Sequence, residues 1–181
     1  MRKLSHDEIA AKRTAIEDLP IRPRLPIYAL AENVRSLYNV GSIFRSSDGA
    51  CIEKLFLAGF TPHPPRKEIA KTALGATETV PWEYHKNPLD VIAKLKKENV
   101  TICALELTDE SRPYYQLTQK NFPLCLLVGN EITGLSNELI KHADIAIEIP
   151  MFGVKQSLNV AVAYGVALYD CVRILTEKVK S

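Results

Sequence analysis

Three stretches of the 181-residue chain gather the residue types that bind and react. In Asn39-Val-Gly-Ser-Ile-Phe-Arg45 a carboxamide, a glycine and an arginine fall within about two helical turns. Asn39 is read as the cap of that helix and Gly41 as a point of close approach. Arg45 is then either an ordinary surface or salt-bridged arginine, or a cation offered to an anionic group. Gly129-Asn-Glu-Ile-Thr-Gly-Leu-Ser136 puts Asn130 and Glu131 in a loop bracketed by glycines, with Gly129 leaving room for a ligand and Ser136 placed to cap a helix. Ile149-Pro-Met-Phe-Gly-Val-Lys-Gln-Ser-Leu-Asn159 carries Ser157, read as the cap of a long apolar helix. Ile149, Met151 and Leu158 suit the flat apolar face of a purine, while backbone amides and Ser157 suit its polar edges.

The elements that position these stretches alternate. Short apolar runs predict strands over Ile27–Leu30, Lys54–Ala58, Val80–Tyr84, Val100–Leu105, Leu124–Val128 and Ile145–Ile149. Helical spacing predicts Val40–Asp48, Leu89–Glu98, Asn137–Lys141 and a last helix from Ser157 to about Lys178, with Val160, Ala163, Tyr164, Ala167, Leu168 and Cys171 on one side. Strands that are apolar throughout, interleaved with helices, indicate an α/β fold with a Rossmann-like, mostly parallel sheet covered on both faces. Ligands of such sheets bind beyond the carboxyl ends of the strands, where all three stretches fall. Upstream, Ser5 and Glu8 form a capping-box pattern for a helix to Asp18, and Pro23 and Pro26 stop it. Residues 1–26 are therefore read as a helical extension and linker, and 27–181 as one domain.

From about Ile27 to Tyr169 the three stretches, in this order, resemble the signature motifs of the SpoU (TrmH-like) RNA 2′-O-ribose methyltransferases of the SPOUT superfamily. Lys71-Thr-Ala-Leu-Gly-Ala76 is similar to a further family segment, with Ala73 where many relatives carry serine. The resemblance implies a C-terminal deep trefoil knot, S-adenosyl-L-methionine as cofactor, tRNA or rRNA as substrate, no metal, and a homodimer. It assigns catalysis to Asn39, Arg45, Glu131, Ser157 and Asn159. It assigns cofactor contacts to Leu105, Gly129, Asn130, Ile149, Met151, Ser157 and Leu158. In the family the arginine is proposed as general base; a guanidinium that stays protonated is better suited to holding the neighbouring phosphate and stabilising alkoxide charge.

Other classes fit less well. A nucleotide-dependent oxidoreductase would carry G-x-G-x-x-G after the first strand, and a serine hydrolase would complete G-x-S-x-G around Ser136; neither pattern is present. A non-catalytic RNA-binding protein of the same fold is the competing reading, and the presence of all five candidate catalytic residues weighs against it. Net charge is only +2, but Arg2, Lys3, Lys12, Arg13, Arg22 and Arg24 crowd the first segment. Recognition of RNA is expected from the domain itself, this basic segment or a partner subunit. The four cysteines are far apart and the histidines scattered, which fits free thiols and no metal site. With no apolar leader and no run long enough to span a bilayer, the chain is expected in the cytoplasm.

Overall fold

The computed structural model describes residues 1–11 and 23–177. Helix α1 (His6–Ala10) opens on the expected capping box: the Glu8 amide donates to the Ser5 hydroxyl and the Ser5 amide to the Glu8 carboxylate. The expected continuation to Asp18 lies outside the described residues. From Leu25 onward come β1 (Leu25–Glu32), α2 (Leu37–Gly49), β2 (Ile52–Ala58), α3 (Lys67–Ala73), α4 (Ala76–Thr79), β3 (Trp82–His85), α5 (Pro88–Lys97), β4 (Thr101–Leu105), β5 (Arg112–Pro113), β6 (Leu124–Val128), α6 (Asn137–His142), β7 (Ile145–Glu148) and α7 (Val160–Thr176).

The strands form one sheet in the order β3-β2-β1-β6-β4-β7-β5, and every pairing between them is parallel. Alternation along each strand splits the core in two. Ile27, Ala29 and Ala31 of β1 and Leu124, Leu126 and Val128 of β6 face α2, α3, α4 and α7, whereas Leu30, Cys125 and Leu127 face α5 and α6. This two-sided burial is why the strands read as unbroken apolar runs. The chain builds outward from β1 to β3 and then crosses to β4 on the far side of β6. The order therefore reverses beside β1 and β6, the place where such sheets open a crevice.

Local chemistry sets the element ends. Ser36, not Asn39, caps α2, accepting from the Asn39 amide, so Asn39 sits inside the first turn. Asn159, not Ser157, caps α7, because its Oδ1 accepts from the amides of both Ala161 and Val162. Ser136 caps α6 as expected. The stretch between Pro65 and Val80 holds two helices that periodicity did not predict. Each is too short to stand alone, and they persist by burying Ile69, Ala73 and Ala76 against α2. A Cβ on Gly41 would lie 2.4 Å from the Ile69 carbonyl oxygen, so α3 docks where α2 has no side chain. Deeper in that interface the Ser47 and Tyr164 hydroxyls, both buried, hydrogen bond at 2.7 Å and join α2 to α7. Cys103, Cys125 and Cys171 are buried free thiols. No described helix is long and apolar enough to cross a membrane.

Candidate functional site

At the reversal point the three stretches meet around one side chain. Glu131, in the loop after β6, accepts at Oε2 from the Arg35 amide (2.9 Å) and at Oε1 from the Ser36 amide (3.0 Å) and Asn39 Nδ2 (3.0 Å). Desolvation pushes its carboxyl pKa up, but these donors together outweigh it and hold the group below its ordinary value. Asn39 Oδ1 in turn accepts from Asn159 Nδ2 at 3.1 Å. The amide orientations follow from the helix: Asn159 Oδ1 is committed to the α7 amides, so its NH₂ points to Asn39 Oδ1 and the Asn39 NH₂ to the carboxylate. One chain of hydrogen bonds thus runs from the α7 N-terminus through two carboxamides to Glu131, tying together the ends of β1 and β6 and the entry to α7.

Beside it opens a cleft of about 250 Å³. Leu105 ends β4, Val128 ends β6 and Ile149 follows β7; with Met151 and Leu158 they form its apolar surface. Residues 150–158 belong to no helix or strand and make no backbone-to-backbone hydrogen bond among the described residues, so their peptide groups are open to a ligand. Ser157 lines this wall.

Two cleft residues have primarily internal work. Asn130 donates to the Asn33 carbonyl (2.8 Å) and accepts from the Ile132 and Thr133 amides. Its backbone and that of Gly134 exchange two further bonds, with Gly134 at φ +68°. A Cβ on Gly129 would lie 2.2 Å from the Gly134 carbonyl carbon, so the glycine is required by the folding-back of its own loop, and the expected ligand approach is not what fills that space.

Arg45 is placed differently. It is exposed on α2, outside the cleft lining, and makes no ion pair or side-chain hydrogen bond among the described residues. The surface-salt-bridge reading therefore finds no partner among the described residues.

Sequence reasoning missed two carboxylates that hold the loop after β6. Glu106 accepts from the Leu135 amide at 2.9 Å and also lines the cleft; Glu32, only 3% exposed, accepts from the Ser136 amide at 2.8 Å. Both are acidic residues at or just past the carboxyl end of an apolar strand, a signal that was available. Glu148, also in the cleft wall, takes the Ser111 hydroxyl at 2.5 Å.

A family model described as the SpoU rRNA Methylase family matches residues 26–169. The chain belongs to the SpoU family. It is 32% identical over 142 residues to a tRNA (guanosine(18)-2′-O)-methyltransferase of Escherichia coli K12, covering 78% of this chain and 61% of that one. To the enzyme of the same name from Thermus thermophilus it is 31% identical over 163 residues, covering 90% of this chain and 82% of that one. Among solved structures, an AdoMet-bound rRNA methyltransferase from Sinorhizobium meliloti matches with a TM-score of 0.78 at 32% identity, over 83% of this chain and 57% of that one. The chain thus spans about three fifths of the E. coli SpoU relative's length.

Proposed function

We propose that the protein is an S-adenosylmethionine-dependent methyltransferase acting on a ribose 2′-hydroxyl of tRNA or rRNA. The observation that carries this is the Asn159–Asn39–Glu131 chain, which draws the three SpoU motifs together at the mouth of the cleft. The cleft fits the cofactor's chemistry: apolar Leu105, Ile149, Met151 and Leu158 for the adenine, open peptide groups at 150–158 and Ser157 for polar edges, and Glu106, Glu131 and Glu148 giving a field suited to a cation. S-adenosylmethionine would supply an electrophilic methyl group there. Gly129 and Asn130 contribute by shaping the loop. Arg45, exposed and without an ion pair among the described residues, is placed to hold the phosphate next to the target ribose and to stabilise negative charge as the hydroxyl loses its proton. Glu131, Asn39 and Asn159 keep the loops in register for that encounter, and Ser157 faces the cofactor from the cleft wall.

The reading extends to assembly. Phe152 and Val154 are each 98% exposed, and Val162 and Tyr169 project from one side of α7, which supports a homodimer through this surface. Family membership supports the C-terminal trefoil knot and a cytoplasmic setting.

Calorimetry of the chelator-treated protein should detect cofactor binding. Incubation of total tRNA and rRNA with labelled cofactor should then give a 2′-O-methylated nucleotide. RNA binding without methyl transfer would instead identify a non-catalytic member of the fold.

A further inference from the structure

Away from the cleft, the loop after β2 builds an aromatic surface. Trp82 and Tyr84 share one face of the edge strand β3. His63 lies over both, its ring centroid 4.7 Å from Tyr84 and 6.2 Å from Trp82, and Trp82 meets the buried Phe44 of α2 edge-on. Phe60, in the same loop, is 62% exposed, Tyr84 is 41% exposed, and His63 is exposed. Trp82 is anchored on the core, and the rings gathered outside it make an exposed patch of the kind that marks an interaction surface.

The loop is also rigidly held. Gly59 takes φ +66°, and a Cβ there would lie 2.1 Å from Asn33 Oδ1, which accepts from the Phe60 amide. Tyr84 donates to the Gly59 carbonyl at 2.7 Å, and the buried Thr61 hydroxyl bridges the Val34 amide and the Ala31 carbonyl. His63 Nδ1 lies 2.9 Å from the Pro64 carbonyl, so that nitrogen carries the proton and the ring is fixed. Exposed Arg66, Lys67 and Lys71 follow directly, none in an ion pair among the described residues. The anchoring residue, Asn33, gives its carbonyl to Asn130 of the cleft loop.

We infer that Phe60, His63 and Tyr84 form a stacking platform for unpaired bases flanking the target nucleotide, with Arg66, Lys67 and Lys71 holding their phosphates. The ligand is single-stranded RNA because exposed rings next to exposed cations match its two chemistries, base faces and a polyanionic backbone. The platform stands at the carboxyl ends of β2 and β3, three strand spacings or roughly 14 Å from β6 along the sheet edge. An RNA bound there reaches the cleft within a few nucleotides. The inference rests on the reading of the chain as an RNA methyltransferase.

Trp82 is the chain's single tryptophan and lies against His63, so its emission reports on the platform. Titration with a short fluorescein-labelled single-stranded RNA should change Trp82 emission with the Kd given by anisotropy. Phe60→Ala and His63→Ala should each raise that Kd roughly tenfold, and Phe60→Trp, read by anisotropy, should bind nearly as the native chain. Far-ultraviolet circular dichroism and calorimetric cofactor affinity should be unchanged in all three. RNA affinity that is the same in both alanine variants overturns the inference, as does absence of RNA binding. Cofactor binding and methyl transfer to bulk tRNA and rRNA, measured on the native protein, separately decide the enzymatic reading.

Discussion

At the residue scale, Asn159 does two things that a single substitution can separate. Its carbonyl oxygen caps α7 and its NH₂ orients Asn39. In Asn159→Asp the cap survives, since aspartate serves as well as asparagine there, but nothing donates to Asn39 Oδ1. The Asn39 amide would then turn its NH₂ toward the aspartate and its oxygen toward Glu131. Melting temperature should stay near the native value while methyl transfer falls roughly tenfold or more, the scale of losing a hydrogen bond to a charged group. Asn159→Ala should lose activity and also about 1 kcal/mol of stability. If Asn159→Asp is fully active, the hydrogen-bond chain has no functional role.

Arg45 poses the opposite case, a side chain that makes no ion pair or side-chain hydrogen bond among the described residues. Arg45→Ala should therefore leave both melting temperature and calorimetric cofactor affinity nearly unchanged, and cut methyl transfer roughly a hundredfold or more. Arg45→Lys separates its possible roles: partial rescue favours phosphate positioning by charge, and none favours a function specific to the planar fork. Full activity in Arg45→Ala would return it to the class of ordinary surface arginines.

Among elements, the edge strand β3 is held partly by charge. Lys54 of β2 donates to Glu83 at 2.6 Å, and His85 Nε2 lies 3.1 Å from its other oxygen. The hydrogen bond from Lys54, and then that from His85, lower the Glu83 carboxyl from its ordinary 4.5 to about 2. A depressed carboxylate contributes stability that is present above about 4.5 and is lost as pH falls from there toward about 2. The side chain is 37% exposed, so the effect is small and salt-sensitive. Denaturant midpoints across that window should fall less steeply for Glu83→Gln than for the native chain; identical slopes would show that the ion pair does not stabilise the fold.

The elements that sequence made legible are those whose pattern is local. β6, buried at every position, lies where periodicity puts it, and so do the inward Tyr164, Ala167, Leu168 and Cys171 of α7, which begins at Val160 and whose expected end near Lys178 lies outside the described residues. Helices α3 and α4 were not legible, because a seven-residue and a four-residue helix owe their existence to contact with α2 and show too few turns to register a period. β5, two residues long, shows none at all. The caps of α2 and α7 were misassigned for a related reason: Ser36 and Asn39, like Ser157 and Asn159, are both good cap residues, and only the backbone's path chooses between them. In the site, motif resemblance located Asn39, Glu131 and Asn159, but not that the Glu131 carboxylate is anchored by the Arg35 and Ser36 amides, some 95 positions away in the chain.

For the whole molecule, the wall of the cleft and the proposed subunit interface are the same stretch of chain. Residues 150–158 make no backbone-to-backbone hydrogen bonds among the described residues, and within them Phe152 and Val154 are almost entirely exposed. A segment that orders a ligand site needs support from somewhere, and a second subunit packed on Phe152, Val154 and the Val162 side of α7 would supply it. Assembly and cofactor affinity should then be coupled. The native protein should scatter light as twice the 20.2 kDa subunit. Val162→Glu buries a charge in the proposed interface from a position 52% exposed in the single chain and outside the cleft lining. It should therefore leave the circular dichroism spectrum intact while shifting the protein to monomer and weakening cofactor binding several-fold. A native monomer with full methyl transfer would remove the dimer from the account. A Val162→Glu monomer that binds cofactor as tightly as the native protein would leave residues 150–158 to order themselves around the ligand alone.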